Sequence, residues 1–190
     1  MRVIAGEFKG RRLEAPEWAG LRPTSDKLRG TLFNILTPRI RGARVVDGYA
    51  GTGAVGIEAL SRGAAHVSFV EQDARAARLI AANLARCGVV NRYAIIRAAF
   101  AGADRQLAAD AVDVLFLDPP YGAAELSAAL TAAEPLVGSG TLLVVEHAKR
   151  DRAPEQHGAL TLTREVTSGD SALAFYSLRE SRESTELSRF

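Results

Sequence analysis

The sequence predicts an α/β fold, an open and mostly parallel twisted sheet with helices on both faces, a C-terminal antiparallel hairpin and a short basic N-terminal extension. Three observations predict it. From Ala43 onward, β-rich runs alternate with helix-periodic runs in the manner of successive βα units. Val112 to Leu117 and Thr141 to Glu146 are apolar almost throughout, as expected of strands covered on both faces. The last third then carries two β-rich segments around Ser168-Gly169-Asp170, which read as a hairpin.

Residues 1 to 14 suggest a short hairpin leading into a helix near Ser25 to Leu36. Val45-Val46-Asp47 is the first strand of the body, and Thr52 to Arg62 is a helix stopped by Gly63. His66 to Glu71 follows as the second strand. Asp73 has the side chain and position of an N-cap for a helix carrying Ala76, Ile80 and Leu84 on one face and ending near Gly88. Tyr93 to Arg97 is the third strand, Val112 to Leu117 the fourth and Thr141 to Glu146, introduced by Gly138-Ser139-Gly140, the fifth. Lys149 to Gly158 is polar, Ala159 to Val166 and Ala172 to Leu178 form the hairpin, and Glu180 to Phe190 is a polar tail. The expected division is an extension over 1–42, a single domain over 43–179 and a tail over 180–190.

The chain has 190 residues, 47% of them hydrophobic and 24% charged, which is ordinary globular composition. Its apolar runs fall far short of the ~18 to 20 residues needed to cross a bilayer, so no membrane role is expected. Cys87 is the single cysteine and no apolar leader opens the chain, which together point to the cytoplasm. His66, His147 and His157 show no metal-ligand spacing, with or without Cys87, and no metal is expected. The net charge of +2 conceals an asymmetry: residues 1–44 hold ten basic and four acidic side chains, whereas the remainder is net acidic. A basic arm on a mildly acidic body suits a protein that meets a phosphate backbone before acting on it, although a solvated basic surface reads the same way.

Gly51, Gly53 and Gly56 form G-x-G-x-x-G at the first strand-to-helix turn, and Glu71 stands twenty residues after Gly51, where a carboxylate meets a ribose diol. NAD and S-adenosylmethionine both suit this geometry. Asp47 separates them, because a carboxylate at the end of the first strand repels a pyrophosphate and attracts a sulfonium or ammonium group. Asp47 is equally suited to capping nearby backbone N–H groups.

After the fourth strand stand Asp118-Pro119-Pro120-Tyr121. Strands one and four of an open sheet deliver their loops to the same crevice. An exocyclic amine conjugated to a ring or amide is a poor nucleophile because its lone pair is delocalised. The Asp118 carboxylate and Pro119 carbonyl can each accept one amine N–H and aim the lone pair at a methyl donor, while Tyr121 stacks on a planar substrate. Asp118, Pro119, Pro120 and Tyr121 are therefore the candidate catalytic residues. Trp18 reads first as a packing residue.

These residues resemble the amino-methyltransferase signature of class I S-adenosylmethionine-dependent methyltransferases. Arg2-Val3-Ile4-Ala5-Gly6, Gly10 to Leu13, Leu21 to Arg29, Leu32-Phe33-Asn34, Glu58 to Ala64 and Gly169 to Leu173 extend the similarity over almost the whole chain. They narrow it to the bacterial 16S ribosomal RNA guanine-N2 methyltransferases that act on guanine 966 in rRNA numbering. The resemblance implies a Rossmann-like class I fold, S-adenosylmethionine as cofactor, and a monomer acting on 16S rRNA in the assembled or assembling small ribosomal subunit. It implies that Asp47, Gly51 and Gly53 hold the methionine end and Glu71 the ribose, with Tyr49, Gln72, Ala99 and Asp118 completing the cofactor set. Arg11, Arg12, Arg22 and Arg29 are the candidate RNA contacts. Ala98 departs from the family pattern where many relatives place Asp or Asn for the adenine amine, leaving backbone groups, Ala99 and Phe100 to define that pocket. Thr167-Ser168 and Gly48-Tyr49 depart from it as well.

Asp-Pro-Pro-Tyr also suits adenine N6 in nucleic acid or a protein glutamine amide. A nicotinamide oxidoreductase would share the glycine loop and Glu71 but leave Asp47 and Asp118 to Tyr121 unexplained. A non-catalytic RNA-binding module is the remaining alternative.

Overall fold

In the computed structural model, residues 1–16, 18, 26–107 and 111–179 are described. The strands are β1 (Arg44–Gly48), β2 (His66–Val70), β3 (Tyr93–Ile96), β4 (Val114–Leu117), β5 (Leu142–Ala148), β6 (Gln156–His157), β7 (Leu160–Ser168) and β8 (Ser171–Leu178). The helices are α1 (Asp26–Ile40), α2 (Ala54–Ser61), α3 (Ala74–Arg86), α4 (Asp104–Leu107) and α5 (Ala123–Ala133). The strands form one sheet in the order β3-β2-β1-β4-β5-β8-β7-β6, parallel through β5 and antiparallel beyond it. The order reverses between β1 and β4, which opens a crevice at their carboxyl ends.

Strand alternation divides the core into two faces. Val45, Phe69, Phe116 and Val144 pack with α1, α2 and α3, while Val46, Leu115, Leu117, Leu143 and Val145 pack with α4 and α5. Burial on both faces explains why β4 and β5 read as continuous apolar runs. The hairpin expected in the last third is β7 and β8, and Asp73 caps α3 by accepting from Arg75 N. The expected helix near Ser25 begins among the described residues at Asp26 and runs on to Ile40; Ser25 and the tail over 180–190 lie outside the described residues.

Every residue of α2 is buried, so both of its sides need cover. The sheet covers one side and the N-terminal segment the other. Glu58 accepts from Ile4 N at 2.7 Å and Ala5 N at 3.0 Å, and Ser61 Oγ accepts from Phe8 N at 2.9 Å. A Cβ on Gly6 would lie 1.9 Å from the Ser61 carbonyl oxygen, so this approach requires glycine. Val3, Phe8, Leu13, Leu32, Phe33 and Leu36 join the core cluster of α2 and the sheet. Residues 1–13 are thus docked on the body, and they fold back on themselves as the expected short hairpin, with Val3 N donating to the Arg11 carbonyl at 3.0 Å, Leu13 N to the Met1 carbonyl at 3.2 Å and an antiparallel bridge of Arg2 to Arg12. No helix among the described residues is long and apolar enough to cross a membrane.

Candidate active site

The crevice is a cavity of about 840 Å³ at the carboxyl ends of β1, β2, β4 and β5. That volume suits a nucleoside-sized ligand with room for a second planar group. Its floor is set by glycines. Gly51 and Gly53 take φ of +55° and +74°, turning the chain from β1 into α2, and a Cβ on Gly56 would lie 2.2 Å from Phe69 Cε1, so α2 can lie against β2 only as it does. Tyr49 also takes a positive φ, +62°, unusual for a side chain of its size, with its ring tilted against Phe100 at 5.6 Å between centroids.

Four carboxylates meet the cavity on one face of the sheet. Asp47, Glu71, Asp118 and Glu146 each follow by two residues a side chain of the α1–α3 face: Val45, Phe69, Phe116 and Val144. Asp47 Oδ2 accepts from Gly56 N at 2.8 Å in the first turn of α2. Burial pushes the Asp47 carboxyl up to about 8, opposed by the Gly56 hydrogen bond and aided by the nearby Glu71 charge. A cation beside it restores its ionised form. Glu71 Oε2 accepts from Gly51 N at 2.9 Å and its Oε1 from Asp73 N at 2.7 Å, so this carboxylate braces the glycine loop against the start of α3.

Asp118 follows β4, where its N–H lies 3.4 Å from the Gly48 carbonyl oxygen. Pro119 is buried and Pro120 exposed. The Tyr121 hydroxyl lies 2.7 Å from Ser171 Oγ and donates to Glu146 Oε1 at 3.2 Å, which anchors the ring in the cavity wall. Burial and the neighbouring carboxylates hold its hydroxyl above the usual phenol range. At the other end, Trp18 lines the cavity with the Arg75 guanidinium 5.1 Å from its ring, and Asp73 is held down to about 2 by Arg75.

The structure therefore brings Asp47, Tyr49, Gly51, Glu71, Gln72, Ala99 and Asp118 to Tyr121 to one cavity, with Gly53 shaping the turn behind it. Ala98, Ala99 and Phe100 line it without a side-chain hydrogen-bonding group, so an adenine there meets apolar surface and backbone. Of the candidate RNA contacts, Arg11 and Arg12 are exposed, Arg11 donating to the Arg86 carbonyl at 3.0 Å. Arg22 lies outside the described residues. Arg29 is a correction: it is fully buried, with Nη2 donating to the Arg2 carbonyl at 2.5 Å and to Asp26 at 2.9 Å, and serves as an internal tether. Glu146 and Ser171 were missed from sequence. Glu146 had a signal, since it ends the apolar run Thr141 to Glu146 near the same carboxyl edge as Asp47 and Asp118. Among the described residues no three His, Cys, Asp or Glu side chains converge as metal ligands.

The family described as Conserved hypothetical protein 95 matches residues 1–177. A Bacillus subtilis protein named YlbH, described as a candidate rRNA methyltransferase, is 38% identical over 186 residues, covering 94% of this chain and 100% of its own. Ribosomal RNA small subunit methyltransferase D of Escherichia coli (strain K12) is 34% identical over 183 residues, covering 93% of this chain and 89% of its own. The solved structure of yhhF from Escherichia coli, described as a candidate methyltransferase, superposes with a TM-score of 0.79 at 29% identity over 95% of this chain and 99% of that one. The sheet order and these neighbours agree on a Rossmann-like class I methyltransferase fold.

Proposed function

This chain belongs to the family described as Conserved hypothetical protein 95, and from that membership and its cavity we propose that it transfers a methyl group from S-adenosylmethionine to the exocyclic N2 amine of a guanine in 16S ribosomal RNA, guanine 966 in rRNA numbering. The observation that carries this reading is the placement of Asp118 to Tyr121 in the same cavity as Asp47 and Glu71. The relatives' names support ribosomal RNA as the substrate and methylation as the reaction.

The residues present fit the cofactor. Asp47 is a desolvated carboxyl that gains from a cation beside it, Gly51 brings backbone to the cavity, and Glu71 reaches it from the end of β2. When bound, S-adenosylmethionine supplies a methyl carried on a positively charged sulfonium. Asp47 and the glycine turn would hold its methionine end, Glu71 the ribose, and Gln72, Ala98, Ala99 and Phe100 the adenine.

The chain's own groups then act on the amine. The Asp118 carboxylate and the Pro119 carbonyl accept its two N–H bonds, which draws the nitrogen from planar toward pyramidal and frees its lone pair. Asp118 would then take up the proton that the nitrogen sheds after alkylation. Tyr121, anchored by Glu146 and Ser171, offers a fixed ring for the base to stack on. A guanine within an RNA helix must be unpaired or turned out to enter. The exposed Lys9, Arg11, Arg12 and Lys27 would meet RNA phosphates from the extension, and the protein would act as a monomer.

The test is transfer of labelled methyl to undermethylated small subunits and to naked 16S rRNA, followed by identification of the labelled nucleoside. N2-methylguanine is the expected product. N6-methyladenine, or label in protein glutamine, would overturn the assignment of the target.

A further inference from the structure

Glu146 has no part in the reading above beyond anchoring Tyr121, yet its placement suits more than that. It is 4% exposed, lines the cavity, and lies on β5 one step beyond the Leu117–Val145 pair of the β4–β5 ladder. In parallel register that sets it beside Asp118, on the same face of the sheet, with strands about 4.8 Å apart. An amine gripped by Asp118 and Pro119 therefore has Glu146 next to its ring.

A carboxylate only accepts hydrogen bonds, so the ring edge that it favours must donate. Guanine presents N1–H beside its N2 amine, two donors in line. Adenine presents the N1 lone pair beside its N6 amine, which a buried carboxylate repels. Two neighbouring carboxylates thus match two neighbouring donors, and the second of them decides which base is accepted.

We infer that Glu146 is a specificity-determining residue that accepts the N1–H of guanine and so selects guanine over other amine-bearing bases. This inference rests on the methyltransferase reading of the same cavity and adds to it the group that reads the base.

The probe is small-subunit RNA carrying either guanine or 2-aminopurine at the target position. 2-Aminopurine keeps the N2 amine but has a lone pair at N1 in place of N1–H. Wild type should favour guanine by about 100-fold or more in kcat/KM, since a buried acceptor left facing a lone pair is strongly rejected. Glu146→Gln, whose amide can donate to N1, should bring the ratio to within about tenfold. Tyr121→Phe should slow both substrates and leave the ratio high, because it removes the anchor but keeps the carboxylate. Cofactor binding and thermal melting establish that each variant is folded. An unchanged ratio in a folded Glu146→Gln would overturn the inference while leaving guanine methylation standing. Equal use of the two bases by wild type would overturn it without any variant. Absence of N2-methylguanine with wild type would instead overturn the guanine-N2 reading on which it rests.

Discussion

Replacing Asp47 by asparagine tests the electrostatic logic of the cofactor cavity without reference to catalysis. Burial holds the Asp47 carboxyl at about 8 in the ligand-free protein. At pH 7 such a group is only about one-tenth ionised. If a bound sulfonium and ammonium draw it into its anionic form, binding releases about 0.9 proton, at a cost near 1.4 kcal/mol or tenfold in affinity relative to a pH well above 8. The amide introduced by Asp47→Asn keeps an oxygen to accept from Gly56 N but has no proton to lose. The assay is calorimetric titration of S-adenosylmethionine at pH 7 in two buffers of different ionisation enthalpy. Wild type should release most of a proton more than Asp47→Asn, and the variant should bind more weakly. S-adenosylhomocysteine, which retains the ammonium and lacks the sulfonium, tells which cation is responsible. Equal proton counts in the two proteins would refute the reasoning.

The same carboxyl makes a prediction about stability. Its folded pKa lies above the unfolded value of 3.8, so its stabilising contribution is full below about pH 4 and is lost as pH rises toward 8. Ligand-free Asp47→Asn should therefore gain on wild type between pH 5 and pH 8, by about 2–4 kcal/mol, as read from denaturant unfolding. Glu58→Gln keeps its volume but loses charge from three contacts, to Ile4 N, Ala5 N and Arg62, and should cost about 2 kcal/mol and open residues 1–13 to proteolysis. Arg12→Ala should weaken RNA binding and reduce its salt dependence with the melting temperature unchanged. Arg29→Ala should instead lower the melting temperature, because it strips a fully buried side chain from the Arg2 carbonyl and Asp26.

The strands and their order of appearance were legible because β4 and β5 are buried on both faces and α3 on one, and each pattern has its own period. The glycine turn and Asp118 to Tyr121 were legible because their chemistry lies in consecutive residues. Arg29 was misread for a physical reason: a charge count treats every arginine as surface, whereas α1 turns this one inward beside Leu32 and Phe33 to hold the first strand-like segment. The docking of the extension was likewise hidden, since it depends on Glu58 and Ser61, two polar residues within a wholly buried helix more than fifty positions away. Glu146 was passed over because it ends an apolar run, and its meaning comes from the β4–β5 register that sets it beside Asp118. Asp47 combines both sequence readings, capping Gly56 N while facing the cavity.

The central claim is that Asp118, which lines the cavity shared by cofactor and amine, acts mainly on the amine. The most direct measurement is single-turnover methyl transfer to undermethylated small subunits by Asp118→Ala beside wild type, with the dissociation constant of S-adenosylmethionine measured for both. The account predicts a rate lower by about 100-fold or more, the cost of losing one preorganised acceptor, with cofactor affinity changed by less than about threefold. Transfer at the wild-type rate, or a loss explained entirely by weaker cofactor binding, would contradict it.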